Sequence, residues 1–283
     1  MKNTDLHTHS YYSDGQYSPK ELVRLAKKRG IKNLALTDHD SIKCVREAIK
    51  EGKKIGVNII PAVEIRYKKS EILGYFIDIK NKKLISELKK SSKQNENAVK
   101  EWCNKIEKAG YNISFKEIWK KYPKARGNIN ELHVLYELHL KGYGTTRDVA
   151  KRLSEQKIKK RKSERFSILK AIKLVKEANG IPVLAHPWFD SEALKEKNIK
   201  KYIKAGLKGI EINNGDTLSF MKKVSKRKNI IKIIKKLAKK YNLILTSGSD
   251  YHGERMVELM PGNHALGKNN CDEKIIKKLK FIK

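Results

Sequence analysis

The chain is short of acidic residues, of cysteine and of long apolar runs. Its 31 Asp and Glu stand against 65 Lys and Arg, a formal net charge of +34 over 283 residues. Three cysteines, Cys44, Cys103 and Cys271, lie far apart. An odd, unclustered set argues against a disulfide framework or a cysteine-bound zinc, and points to reduced thiols and a cytoplasmic location. No run of about 18 apolar residues occurs, so no membrane span is expected. The first strand follows Met1 almost directly, with no apolar leader core, so a signal peptide is not expected either. No glycine-rich phosphate loop is present, which argues against P-loop nucleotide chemistry.

The basic excess would draw polyanions and speed their encounter with the protein. Nucleotides, nucleic acids and phosphorylated metabolites all qualify. Lysine far outnumbers arginine, however, and solvated helix faces or genome composition give the same bias, so charge alone selects no partner.

Hydrophobic periodicity and turn signals divide the chain. Strands are expected at 3–7, 33–37, 57–64 and 71–77, with helices over Pro19–Arg29 and Ser41–Lys54 between the first three. Strand-helix alternation predicts parallel pairing through right-handed crossovers. Helices then follow one another over 81–165: Lys82–Ala109, Phe115–Tyr122, Ile129–Lys141 and Asp148–Glu155. The alternation resumes with a helix over Ser167–Ala178, strands at Ile181–Ala185, 208–213 and 243–247, a helix over Ile230–Tyr241 and a last short strand near His264–Leu266. The expected architecture is an α/β barrel of residues 1–80 and 166–283, carrying a helical insertion of 81–165 as a substrate cap.

What stands at the strand ends carries the chemistry. Five of the eight histidines follow short apolar runs, each beside another metal-ligand type. The segments are Asp5-Leu6-His7-Thr8-His9, Ala35-Leu36-Thr37-Asp38-His39, Pro182-Val183-Leu184-Ala185-His186 and Gly248-Ser249-Asp250-Tyr251-His252; Pro61-Ala62-Val63-Glu64 ends in a carboxylate instead. Residues i and i+2 of a strand share a face, so His7 and His9 can bind one ion together. The Ser13-Asp14-Gly15 turn can fold a carboxylate back over them. Four or more imidazoles and three carboxylates exceed one tetrahedral zinc and imply two or three metals, the usual equipment for hydrolysing phosphate esters. Each motif alone has a bland structural reading; their joint placement does not.

These segments, with Ile72-Leu73-Gly74-Tyr75, Ala185-His186-Pro187 and Gly248-Ser249-Asp250-Tyr251-His252-Gly253, resemble the PHP (polymerase and histidinol phosphatase) superfamily over nearly the whole chain. The match is best to its stand-alone metal-dependent phosphoesterases, which act on nucleoside bisphosphates and short oligonucleotides. The resemblance implies a distorted seven-stranded TIM-like barrel and a trinuclear site held by His7, His9, Asp14, His39, Glu64, His186, Asp250 and His252. It also brings a departure, because Glu71 stands where the subgroup carries a histidine, and a smaller one at Ala62, where glycine is usual. In the insertion it marks His133 as the group that protonates the leaving oxygen and Arg126 as a phosphate contact. His139 and His264 read as structural or exposed.

The function expected is hydrolysis of nucleoside 3′,5′-bisphosphates or short oligonucleotides, with a metal-bridging hydroxide as nucleophile. The cofactors would be two or three divalent ions, Mn²⁺ first, with Fe²⁺ or Zn²⁺ as alternatives. No obligate protein partner is expected. The rivals are a small-metabolite phosphatase of the histidinol-phosphatase type and a non-catalytic nucleic-acid-binding protein with a structural metal. Trp102, Trp119 and Tyr122 read as helix packing before base stacking, and the basic stretch Lys222–Lys240 as a barrel helix with a solvated face.

Overall fold

The computed structural model describes residues 2–67, 70–160, 166–190, 192–213, 224–254 and 265–282. His264 lies outside them. Strand β1 (Lys2–Thr8) leads to helix α1 (Pro19–Lys28), then β2 (Asn33–Leu36), α2 (Lys43–Ile55), β3 (Asn58–Tyr67) and β4 (Ser70–Tyr75). The insertion holds α3 (Lys82–Lys108), α4 (Phe115–Lys121), α5 (Glu131–Leu140) and α6 (Thr146–Glu155). The chain returns through α7 (Ile168–Glu177), β5 (Ile181–Ala185), α8 (Glu196–Ala205), β6 (Gly209–Asn213), α9 (Val224–Tyr241), β7 (Ile244–Ser247), β8 (Cys271–Asp272) and α10 (Lys274–Phe281). None of the described helices is long and apolar enough to cross a membrane.

Local chemistry sets the ends. Ser18 caps α1 and exchanges bonds with Glu21 in a capping box, with Pro19 in the first turn. Thr145 and Asp148 form the same device, so Asp148 lies in the first turn of α6 rather than at its start. Helix α8 was not expected: its apolar positions, Ile199 and Tyr202, are sparse among lysines.

All eight strands join one sheet in the order β7-β6-β5-β4-β3-β2-β1-β8. Parallel pairing joins β1 to β2, β2 to β3, β5 to β6 and β6 to β7. Strand β4 instead runs antiparallel to both β3 and β5. Its connection to β3 is too short for a parallel crossover. The last strand is not at Ala265–Leu266, which is a turn, but at Cys271–Asp272, antiparallel to β1.

The sheet curls into a barrel that closes where the segment after β7 meets β1. The Asp250 N–H donates to His7 O at 2.8 Å, and the His9 N–H to Tyr251 O at 2.9 Å. Buried Asp5 fastens the seam, accepting from the Ser249 and Gly267 N–H groups at 2.9 Å each. Inside, Ile60, Leu73, Tyr75, Ile181 and Val183 fill the lower barrel, with Ile275, Ile276 and Leu279 of α10 in the same cluster. Outside, Val63, Ile65, Ile72, Leu184 and Ile210 pack under α7, α8 and α9. Leu34 and Leu36 pack with α1 and α2.

The insertion has an apolar core of its own, including Val99, Trp102, Cys103, Ile106, Ile118, Val134, Leu138, Val149 and Leu153. Helix α3 serves both bodies: Leu84 and Leu88 near its start belong to the barrel's outer core, and Val99 to Ile106 to the insertion's. Trp102 is buried, its Nε1 donating to Ile158 O at 3.0 Å, so packing is its role.

The seam yields a test. A Cβ on Gly248 would lie 2.4 Å from His7 N and 2.5 Å from His7 Cβ. Gly248→Ala must push β1 and the β7 segment apart, at a cost of about 1–3 kcal/mol or more for overpacking a closed site. Thermal unfolding of the variant is expected several degrees below the wild type.

Candidate metal centre

Each strand on the barrel's upper rim delivers one or two side chains. Glu64 stands at the middle, fully buried. Its Oε2 is 3.1 Å from His7 Nε2, 3.4 Å from His9 Nε2 and 3.1 Å from His39 Nδ1, and its Oε1 is 2.9 Å from His186 Nε2. Asp250 Oδ1 lies 3.2 Å from His7 Nε2 and 3.1 Å from His9 Nε2. Asp14 closes the far side, 3.8 Å from His9, 3.5 Å from His39 and 3.5 Å from His252. Glu71 joins as well, 3.0 Å from His186 Nε2 and 3.6 Å from His39 Nδ1.

The nine residues fall into four overlapping sets of donors: His9, Asp14, His39 and His252; His7, Glu64 and His186; His7, His9 and Asp250; His39, Glu64 and Glu71. A structural zinc uses one closed set. Overlapping sets sharing Glu64 and the histidines suit several adjacent ions instead, so the structural-metal reading does not fit the donor count.

The backbone bends to achieve this. Asp250 (φ 53°) and His186 (φ 20°) both leave the ordinary regions. Such positions cost about 1–3 kcal/mol each and persist where the surroundings impose them. Here the turn away from the strand aims each side chain back over the barrel mouth.

Protonation follows the crowding. Burial alone would raise the Glu64 and Asp250 carboxyls, but the adjacent imidazoles outweigh it and hold both well below the usual carboxylate range. Asp14 is likewise held down, by His39, His252 and His9. Burial would lower His7 and His186, yet the carboxylates around them hold both well above the usual imidazole range. At His39 burial wins and lowers the pKa to about 3. Burial and Glu64 together raise Glu71. Meanwhile His9 Nδ1, Asp14 Oδ1 and His39 Nδ1 are buried and make no hydrogen bond. Orphaned buried donors and acceptors cost about 1–3 kcal/mol each. Divalent cations would satisfy all three, so the residues fit such ions on chemistry as well as number.

Several supporting residues were not anticipated. Glu211, buried on β6, places Oε1 3.0 Å from His7 Nδ1 and accepts the His186 N–H on Oε2 at 2.9 Å. It fixes the face that His7 presents to the cluster. The signal was available: Ile210-Glu211-Ile212 puts an acid in an apolar strand, as Val63-Glu64-Ile65 does. Asn130 Nδ2 donates to Asp14 Oδ2 at 2.6 Å, and Asn128 Nδ2 donates to His39 O and, at 3.3 Å, to Tyr12 O. The insertion thus reaches into the centre through two asparagines. No strand or helix period marks them.

His133 is near the cluster and lines a cavity with Asp14, Tyr122 and His252. Its Nδ1 accepts the Asn130 N–H at 3.2 Å as part of the α5 capping box. Burial lowers its pKa to about 4, so the ring is neutral at neutral pH. The ring thereby helps to position Asn130, and through it Asp14. Arg126 is not brought to the centre. Its Nε donates to Trp119 O, its guanidinium stacks 3.7 Å from the Trp119 ring centroid, and it lines a separate cleft of about 570 Å³ with Lys43, Lys89 and Lys93. Tyr122 donates to Glu137 at 2.5 Å. His139 Nδ1 lies 2.9 Å from Gly144 O, away from the cluster.

A barrel whose strand ends converge on so many imidazoles and carboxylates defines the class of metal-dependent hydrolases. The PHP domain family model matches residues 5–168, more than half of the sequence. The chain belongs to the PHP domain family and is a metal-dependent phosphoesterase of the PHP type. A 5′-3′ exoribonuclease of Haemophilus influenzae is 29% identical over 257 residues, covering 89% of this chain and 90% of that protein. A 3′,5′-nucleoside bisphosphate phosphatase of Chromobacterium violaceum is 29% identical over 265 residues, covering 89% and 88%. A phosphoribosyl 1,2-cyclic phosphate 1,2-diphosphodiesterase of Eggerthella lenta is 28% identical over 262 residues, covering 88% and 94%. Among solved structures, a provisionally assigned metal-dependent phosphoesterase from Bifidobacterium adolescentis superposes with a TM-score of 0.82 at 22% identity, over 98% of this chain and 95% of that one.

Glu211 provides a check on the positioning argument. Glu211→Gln removes the charge behind His7 while keeping the side chain's shape. Losing such a partner typically weakens metal affinity about 10–100-fold. Chelator competition on the purified variant, with circular dichroism unchanged, is expected to show that drop.

Proposed function

We propose that the protein hydrolyses terminal phosphate esters of nucleotides, with nucleoside 3′,5′-bisphosphates or short oligonucleotides as substrates. The carrying observation is the convergence of His7, His9, Asp14, His39, Glu64, Glu71, His186, Asp250 and His252 on one pocket. Two or three divalent ions would be held there, with Mn²⁺ the best match to a mixed set of imidazoles and carboxylates. Such ions, when bound, supply Lewis acidity and neutralise charge on a phosphoryl group. The relatives named for bisphosphates and RNA ends support the nucleotide class.

The chain's own residues do the rest. Glu211 fixes His7, and Asn130 fixes Asp14, so the donors are held before substrate arrives. That preorganisation spares reorganisation in the transition state. Leu132 and Leu135 of α5 line the cavity over Asp14, His39 and Glu71 and exclude water from one wall. The insertion acts as the cap that limits what enters. His133 holds Asn130 in place. The net charge of +34 favours arrival of anions.

The test is a phosphate-release assay on adenosine 3′,5′-bisphosphate and on a short 5′-phosphorylated oligonucleotide, with Mn²⁺ added. Wild type is expected to turn over at least one of them. His7→Ala and Asp250→Ala are each expected to lose about 10²–10³-fold or more in kcat while staying folded. Activity confined to small non-nucleotide phosphates would favour the metabolite-phosphatase reading and overturn this one. Metal content by elemental analysis should fall in both variants.

A further inference from the structure

Beyond the ligand cluster, a buried cation faces the same cavity. Arg66 lies on β3 two residues past Glu64, so both side chains point into the barrel mouth. It stands directly opposite Glu71 in the β3–β4 ladder. Its Nε donates to Asp40 Oδ2 at 3.1 Å and its Nη2 to Asn128 Oδ1 at 2.6 Å. The backbone N–H of Arg66 also donates to Asp40 Oδ1, at 3.1 Å, so the guanidinium is held on two sides. The carboxylates of Glu131, Asp14 and Glu71 also lie close enough to favour its charged form. The residue is only 4% exposed, yet it lines a cavity of about 250 Å³ with Asp14, His39, Glu71, Asn130 and Leu132.

Taking a guanidinium out of water is costly unless its donors are met. Asp40 neutralises one edge. The residue also faces a cavity walled by the metal-site groups Asp14, His39 and Glu71 and by Asn130 and Glu131, where an anionic ligand bound beside the metals would meet it. A planar fork suits phosphate better than a point charge does. The geometry also gives the position. Two residues along a strand advance about 6.6 Å, so Arg66 sits that far outward from Glu64. Arg66 thus meets the cavity from its rim side, where a second phosphate of the same molecule would lie.

We propose that Arg66, not Arg126, is the specificity residue of this enzyme, and that it binds the second, non-reacting phosphate of a nucleoside bisphosphate or the next phosphate of an oligonucleotide. This rests on the proposed nucleotide reading and deepens it. A purely structural Arg66, tying the insertion to β3 through Asn128, would make a different prediction.

The experiment compares adenosine 3′,5′-bisphosphate with adenosine 5′-monophosphate. Wild type is expected to favour the bisphosphate in kcat/KM. Arg66→Met should lower that ratio at least tenfold, through KM, and Arg66→Lys should recover part of it. Because Arg66→Met leaves Asp40 buried without its partner, the double variant Arg66→Met/Asp40→Asn is measured beside it, with melting curves for all. A wild type with no preference, or variants that lose both substrates in equal proportion, overturns the proposal. Should wild type release phosphate from neither compound, the nucleotide reading fails on its own, and calorimetric binding of the two compounds decides Arg66. Tighter binding of the bisphosphate, lost at least tenfold in Arg66→Met, then supports it, and equal binding overturns it.

Discussion

A single carboxylate, Glu64, organises the upper half of this molecule. It is fully buried, and imidazoles from β1, β2 and β5 meet its two oxygens. An ionised carboxylate away from water costs several kcal/mol unless it is paired and bonded on every side. The fold meets that demand by drawing strand ends from both halves of the chain around one group. The imidazoles meet further carboxylates: His7 meets Glu211 and Asp250, His9 meets Asp250, His39 meets Asp14 and His186 meets Glu71. The result is a dense network of imidazoles and carboxylates in which several buried donor atoms still lack a partner. Divalent cations would engage those atoms, whose donor groups already lie within 4.8 Å of one another in each set.

The lower half of the barrel has the opposite character. Leu73, Tyr75, Ile181 and Val183 form an apolar plug beneath the polar layer. Tyr75 bridges the two, donating its hydroxyl to Leu6 O at 3.0 Å. The apolar layer supplies the burial free energy from which the strained, charge-rich layer above draws its tolerance. That division explains why Asp250 and His186 can keep unfavourable backbone angles at the rim.

Much of this was legible in the primary structure, for definite reasons. His7, His9, His39, His186, Asp250 and His252 follow apolar runs, and a strand's period of two fixes which face they share. Capping signals such as Ser18-Pro19 with Glu21 placed helix starts within a residue or two. The antiparallel course of β4 went unread because hydrophobic pattern carries no strand direction; only the short link from β3 does. Glu211, Asn128 and Asn130 escaped because one residue supporting a ligand leaves no period and no spacing. The resemblance carried no signal for Arg66 and pointed to Arg126. Folding placed it against Trp119 instead, while β3 carried Arg66 into the mouth.

Helix α3 belongs to two cores at once, and that continuity limits how the molecule can move. A lid swinging open would have to bend a 27-residue helix in its middle, breaking backbone hydrogen bonds with no proline to relieve them. The continuous helix thus disfavours a hinge between the two cores along α3. Selection by the fit of a molecule to the standing shape of the mouth, as in a sieve, accords with that continuity.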